Sequence, residues 1–289
     1  MSAAAVRSST AGRRSRPLSQ RVFPHVITGV MIALALLWLA PVLWAIDTAV
    51  KAEPDTIKIP ATWAIPHLTF SAFSTDFSAS DIGRWYINSA IVSLLVTVFT
   101  VITASMAGYA LSRQRFRGQN LLYGAILAGI MIPPQALMVP LFREFQAIHG
   151  LNTYWALVLP QVPSPVAVFI FKKFFDGQPP ELDQAARMDG ASWWTCYRRI
   201  ALPLSRSAVA AVSIFTFVWT WNNFLWPFLS STNTPMMTIP VGLGTVIPGE
   251  GITNALVMAS AILGALPLVV VFLFGQRQIV EGVAGTGLK

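Results

Sequence analysis

Six long apolar stretches, near 26–46, 88–111, 121–142, 154–175, 208–229 and 255–275, leave this chain few ways to fold. Each has the roughly 20 mainly apolar residues that a helix needs to cross a hydrocarbon core of about 30 Å. Only 11% of the 289 residues are charged and 54% are hydrophobic. A soluble chain has about a quarter of its residues charged, so these charges are too few to solvate a water-facing surface of this size. The reading is an all-α integral membrane protein with six transmembrane helices and one membrane domain over 26–275. Pro133-Pro134 in the third stretch and Pro160, Pro163 and Pro165 in the fourth predict bent spans. Neighbouring helices can satisfy the carbonyls that such bends release, and bent spans often line a path.

The polar loops set the orientation. With the amino terminus in the cytoplasm, 16 basic residues fall inside, among them Arg7, Arg13, Arg14, Arg16, Arg113, Arg115, Arg117, Arg198 and Arg199. Four fall outside: Lys51, Lys58, Arg84 and Arg143. The positive-inside rule then places both termini in the cytoplasm. Topology thus accounts for the excess of 20 basic over 12 acidic residues, and nucleic acid is not needed as a partner. Residues 1–25 read as a disordered basic tail, and 276–289 as a second cytoplasmic tail. Arginines before an apolar run also fit a cleaved signal peptide, but the run is long and five more follow. The segment from Asp47 to Trp85 reads either as an outer cap anchored by Trp63 and Trp85 at the interface or as a docking surface.

One polar stretch does not fit a membrane crossing: PPELDQAARMDGASWWTCYRRIALP, Pro179 to Pro203. Pro179-Pro180 start a helix, and Glu181 and Asp183 suit its positive end. Gly190 breaks that helix, and Ser192 caps a second one. Trp193, Tyr197 and Ile200 or Ala201 share one side of the second helix, which Pro203 is expected to stop. About ten residues per helix at 1.5 Å each make roughly 15 Å, half a crossing. The unit therefore lies at the cytoplasmic surface, either resting on lipid with its tryptophans at the interface or serving as a knob for a cytoplasmic partner.

Here a resemblance enters. Gln184-Ala185-Ala186, three residues, Gly190, nine residues and Ile200-Ala201-Leu202-Pro203 resemble the signature loop of permease subunits in bacterial ABC importers, with Gln184 where that family has glutamate. MIPPQALMVPLF, GLNTYWALVLP and WTWNNFLWPF are similar to the third to fifth spans of the carbohydrate importers of the maltose type. GYALSRQRFRGQN and the ending QRQIVEGVAGTGLK are similar to an inner loop and the tail of the same group. The resemblance implies a type I importer permease fold and a pore subunit that is not an enzyme. It implies a second, related permease as partner, two ATPase subunits beneath, and an extracytoplasmic sugar-binding protein above. The loop 178–203 would then hold the coupling helix, with Gln184, Ala185, Ala186, Asp189, Gly190, Ile200, Leu202 and Pro203 at the ATPase. ATP and its magnesium would sit on that partner. In keeping with this, the chain has no G-x-x-x-x-G-K-[ST] loop, and no cofactor is expected in it. A bacterial plasma membrane is the implied location.

Trp219, Trp221, Asn222, Asn223 and Trp226 crowd the fifth stretch, and Gln135 follows the proline pair of the third. Amides at membrane depth need partners or a cavity. Sugars present C–H faces and hydroxyls, which rings and amides suit, so these six are candidates for the substrate path. An interfacial aromatic belt with asparagines bonding between helices is the plainer account. His25, His67 and His149 are scattered and predict no metal site, and Asp47, Asp76 and Asp81 have no spacing for acid–base work. Other cargoes remain open. A phosphate cargo such as glycerol phosphate favours a basic residue in the path, and none occurs between Arg206 and Arg277. A membrane scaffold or membrane-embedded enzyme is the rival of another class. The fixed spacing of the two-helix loop weighs against the first, and the lack of paired intramembrane carboxylates against the second.

Overall fold

The structure is a computed structural model that describes residues 18–79, 81–246 and 253–287. Its described residues are helical, joined by turns, with a single isolated bridge between Lys51 and Leu68. In chain order the helices are α1 (Leu18–Ala49), α2 (Glu53–Thr56), α3 (Ser71–Ala79), α4 (Ile82–Arg113), α5 (Gln119–Ala128), α6 (Pro134–Ala147), α7 (Tyr154–Val158) and α8 (Pro165–Asp176). They continue as α9 (Pro180–Met188), α10 (Trp193–Cys196), α11 (Leu202–Leu204), α12 (Arg206–Trp221), α13 (Leu225–Ser230), α14 (Ile239–Val246) and α15 (Asn254–Gly287).

Three stretches, His25–Ala49, Ile82–Arg113 and Asn254–Gln276, are single helices long and apolar enough to cross a membrane. Three more candidates are bent pairs. Gln119–Met131 meets Pro134–Ala147 at 96°, Tyr154–Gln161 meets Pro165–Asp176 at 48°, and Trp193–Leu204 meets Arg206–Trp221 at 78°. The chain thus has three to six candidate spans. The first two bends fall at the prolines that predicted them, since a proline cannot donate to the carbonyl four residues back.

Helix α4 is the organising element. Its 32 residues extend about 48 Å, so it is longer than the hydrocarbon core is thick. It packs on α8, α12, α14 and α7. Its buried face sets small and polar residues, among them Ser89, Ser93, Thr100, Ala104, Ser105 and Gly108, beside larger ones such as Trp85, Val96 and Tyr109. Lipid tails give no hydrophobic drive between helices, so close backbone approach by small residues does the packing. One core cluster, near the start of α4, holds Ile82, Trp85, Trp221, Ile239 and Leu263. Another, near its end, holds Tyr109, Phe171, Phe175, Cys196, Tyr197 and Val212. Helix α1 lies against α15; its apolar residues from Val26 to Ile46 are largely exposed, Trp38 by 80%. A helix apolar all round in this way suits lipid or a partner chain.

Several expectations change. The disordered tail expected over 1–25 lies outside the described residues as far as 17, and from Leu18 the chain is helical. The tail expected at 276–289 continues α15 to Gly287. Hydropathy ends where the apolar residues end, but a helix continues through good formers such as Gln276 and Arg277. Trp85 does not anchor an interface: it is buried, and its Nε1 donates to the Thr234 carbonyl at 2.8 Å. Trp63 is exposed, edge-on to Trp44. Lys51 is not a loop cation but is buried against Asp47, with its Nζ donating to the Thr62 carbonyl at 2.5 Å.

Glu53 has a task that its sequence position hides. Its carboxylate accepts from the backbone N–H of Asn254 at 2.9 Å and of Ala255 at 3.0 Å, capping α15 from two hundred residues away. Orphan N–H groups and the positive helix end both favour it. Glu53→Ala is expected to destabilise the protein by about 1 kcal/mol, read as a lowered melting temperature in detergent. Glu53→Gln, which keeps an acceptor, should lose less.

Candidate functional site

Two places collect the residues singled out above. The first is a cavity of about 590 Å³ where three helix breaks converge. One wall is the start of α6 with Pro134, Gln135, Leu137, Met138 and Leu141. A second is the proline bend between α7 and α8, with Pro160, Gln161 and Pro163. The third runs from the end of α12 into α13. Irregular backbone at membrane depth is tolerated only within protein or beside a cavity, and these breaks meet that condition.

On α12 the lining follows helical spacing. Phe215, Val218, Trp219 and Asn222 share one face at i, i+3, i+4 and i+7. Trp219 is 62% exposed and stacked on Phe215, ring centroids 6.2 Å apart. Asn223 Nδ2 donates to Gln161 Oε1 at 2.6 Å, and Gln161 Nε2 donates to the Leu157 carbonyl at 2.6 Å. Asn222 Nδ2 donates to the Val218 carbonyl at 2.8 Å. Trp226 lines the cavity with a buried ring whose Nε1 donates to the Ala156 carbonyl at 2.8 Å. Gln135 is exposed at the α6 wall. Five of the six path candidates therefore meet here.

Trp221 does not. Residues two apart on a helix point to opposite sides, so placing Trp219 in the cavity sends Trp221 away from it. Its Nε1 donates to the Gly264 carbonyl at 3.1 Å, and its ring packs with Phe217 and Tyr86 in the core. Gln161, Phe215 and Val218 were not foreseen. The spacing from Trp219 would have found the last two, but nothing local marks Gln161. Among the described residues, no Asp, Glu, Lys, Arg or His lines the cavity.

The second place is the hairpin of α9 and the helix after it. Gly190 has φ of +83°, the left-handed conformation that glycine takes without penalty. The Ala191 N–H donates to the Ala186 carbonyl and the Gly190 N–H to that of Arg187, both at 3.0 Å. This is the Schellman closure of a helix C-terminus. Ser192 caps the next helix, its Oγ accepting from Thr195 N–H at 3.2 Å. The Arg187 guanidinium lies 4.0 Å from the Trp193 ring centroid and ties the two arms together.

Pro203 does not stop the second helix. A π turn over Tyr197–Ala201 leads into α11, which contains it. The widened turn accommodates a residue without an N–H, and the chain breaks at Ser205 instead. Gln184, Ala185, Asp189 and Gly190 are exposed at the hairpin tip beside Met188, while Ala186, Ile200 and Leu202 are half-buried and Pro203 is exposed. Asp183, expected only to complement the α9 dipole, is buried against Arg113, Nε to Oδ2 2.8 Å, and Tyr109 Oη donates to its Oδ1 at 3.3 Å. These partners lie some seventy residues away and leave no local signal.

Comparison with known proteins decides the family. The model of the binding-protein-dependent transport system inner membrane component matches residues 100–284. The chain belongs to this family. It is 30% identical over 93% of its length, and 96% of the relative's, to the arabinooligosaccharides transport system permease protein AraQ of Bacillus subtilis (strain 168). It is 32% identical to the sn-glycerol-3-phosphate transport system permease protein UgpE of Salmonella typhi, over 90% of this chain and 95% of that one. The fold is similar to a chain in the crystal structure of a bacterial ABC transporter involved in the import of the acidic polysaccharide alginate. There the TM-score is 0.78 at 18% identity, covering 91% of this chain and 98% of the other. This binding-protein-dependent permease is thus a multi-pass protein of the inner membrane. It transports rather than catalyses: the ATPase is a separate subunit, and permeases of the family carry no cofactor.

Proposed function

We propose that this chain is one permease of an ATP-driven importer whose cargo is a neutral sugar or oligosaccharide. It forms half of the translocation path with a second, related permease. The bent pairs at the two proline breaks each count as one span, and α12 with α13 makes the fifth, giving six spans and cytoplasmic termini, with the α9–α10 hairpin on the ATPase side. Two ATPase subunits dock there, and a binding protein delivers cargo from the opposite side.

The observation that carries the cargo class is the lining of the cavity: exposed Trp219, buried Trp226, four amides and no charged side chain. Rings meet the C–H faces of a sugar, and amides meet its hydroxyls. The glycerol phosphate reading has support from the similarity to UgpE, but a phosphate here would meet no cation among this chain's described residues. That reading would need the second permease to supply one.

Docking of the ATPase draws support from the hairpin tip. Met188 is 88% exposed beside Gln184 and Ala185, and Leu182 and Trp194 are also exposed. The test is purification of the complex in mild detergent from cells expressing the wild type or the Ala186→Trp, Gly190→Trp double variant. Wild type should bring down an ATPase and a second permease. The variant should lose the ATPase, because two indoles fill the contact and a side chain at φ +83° is strained. A variant that keeps a fully coupled ATPase would leave the hairpin a lipid-surface element.

A further inference from the structure

The hairpin is joined to the membrane domain in two ways. The covalent routes are the entry from α8 through residues 177–179 and the exit through Ser205 into α12, with a turn of 78°. A π turn and Pro203 precede that corner, and single π turns of this kind are frequent at functional sites. The second way is a row of side chains on one face of α4, four residues apart: Ser105, Tyr109 and Arg113. Ser105 Oγ shares a hydrogen bond of 2.8 Å with Tyr197 Oη. Tyr109 reaches Asp183 Oδ1, and Arg113 Nε lies 2.8 Å from Asp183 Oδ2. Arg113 Nη2 also donates to the Gln178 carbonyl at 2.9 Å, at the entrance to α9. Phe175 and Tyr197 pack on the Tyr109 ring at 5.5 and 5.4 Å, and the pair is about a tenth exposed. The contacts reach both arms of the hairpin.

A buried ion pair is a poor way to gain stability, because desolvation offsets most of the attraction and an apolar pair often does as well. What it does supply is a single fixed geometry. We propose that Arg113 and Asp183, steadied by Tyr109, form a strut that makes α9 and α4 move as one body. Displacement of the hairpin then enters α4, and through it α12, which lines the cavity. The strut acts in parallel with the covalent corner at Ser205. Arg113 and Asp183 are positioning residues that touch neither cargo nor nucleotide.

The inference rests on the ATPase docking at the hairpin, and the experiment separates the two. The Arg113→Met, Asp183→Leu double variant removes the charges together, so neither is left buried alone. Both it and wild type carry Leu137→Cys as a reporter in the cavity wall, in a Cys196→Ala background. The rate of labelling by a maleimide is measured on the purified complex, without nucleotide and after trapping with Mg-ATP and orthovanadate. In wild type, trapping should change the rate about tenfold, the scale of a strong site-to-site coupling. In the double variant the ATPase should still co-purify while the change falls below about twofold. Arg113→Lys alone, which keeps the charge, should recover part of it. A double variant with the wild-type change overturns the strut and leaves docking intact. One that loses the ATPase also overturns it, by making the pair an assembly element. Wild type without any ATPase removes the docking reading, and the strut falls with it.

Discussion

Gly242→Ala should lower the melting temperature of the purified complex by several degrees, for a cost of about 3 kcal/mol. A Cβ at Gly242 would lie 2.2 Å from Cδ2 and Cε3 of Trp85, and the indole has nowhere to go. It is 1% exposed in the core cluster around Ile82 and Ile239, and its Nε1 is held by the Thr234 carbonyl. Nearby contacts fix the same corner. Asn88 Nδ2 donates to the carbonyls of Pro235 and Met237 at 2.9 and 2.8 Å, and Ser89 Oγ accepts from the Ile239 N–H at 2.8 Å. Moving the ring would strain all of them. Trp85→Leu leaves a cavity in the wild-type background, yet in Gly242→Ala it makes room for the new methyl. The double variant should therefore lose clearly less than the sum of the two singles, a coupling that a double-mutant cycle measures. Additive losses, or an alanine variant that melts with wild type, would show that this contact does not hold α14 on α4.

Trp219→Ala should have the opposite profile. Its ring is mostly exposed in the cavity and touches Phe215, so truncation should leave the melting temperature within a degree or so. Removing a tryptophan anchor from a binding surface costs about 2 kcal/mol, or roughly a thirtyfold loss in uptake of a labelled neutral oligosaccharide at low concentration. Glycerol phosphate in excess should not compete with that uptake. Trp221→Ala is the matched comparison: it empties a buried site, and truncation of a core tryptophan costs about 3–5 kcal/mol. That variant should melt early. Equal effects of the two on uptake, with equal melting, would remove Trp219 from the cargo path.

The contrast between these two tryptophans marks where sequence reading stops. In WTWNNFLWPF both are equivalent letters in an apolar stretch, and grouping by proximity put them on one path. A turn of 100° per residue separates them, and the packing of α12 against α4 and α15 decides which one faces the cavity. Apolar length and proline position are local quantities, so the membrane class and the two proline bends were legible. Gly190 and Ser192 were legible for the same reason, since a left-handed closure and an N-cap depend on neighbours a few residues away. The pairings that only the tertiary structure decided are Arg113 with Asp183, Gln161 with Asn223, Glu53 with the start of α15, and Trp85 with Gly242. Each joins residues tens to hundreds apart in sequence. A charge or an amide shows in the chain that it will need a partner in a low-dielectric interior, but its partner is fixed only when helices pack and bring two such groups within 3 Å.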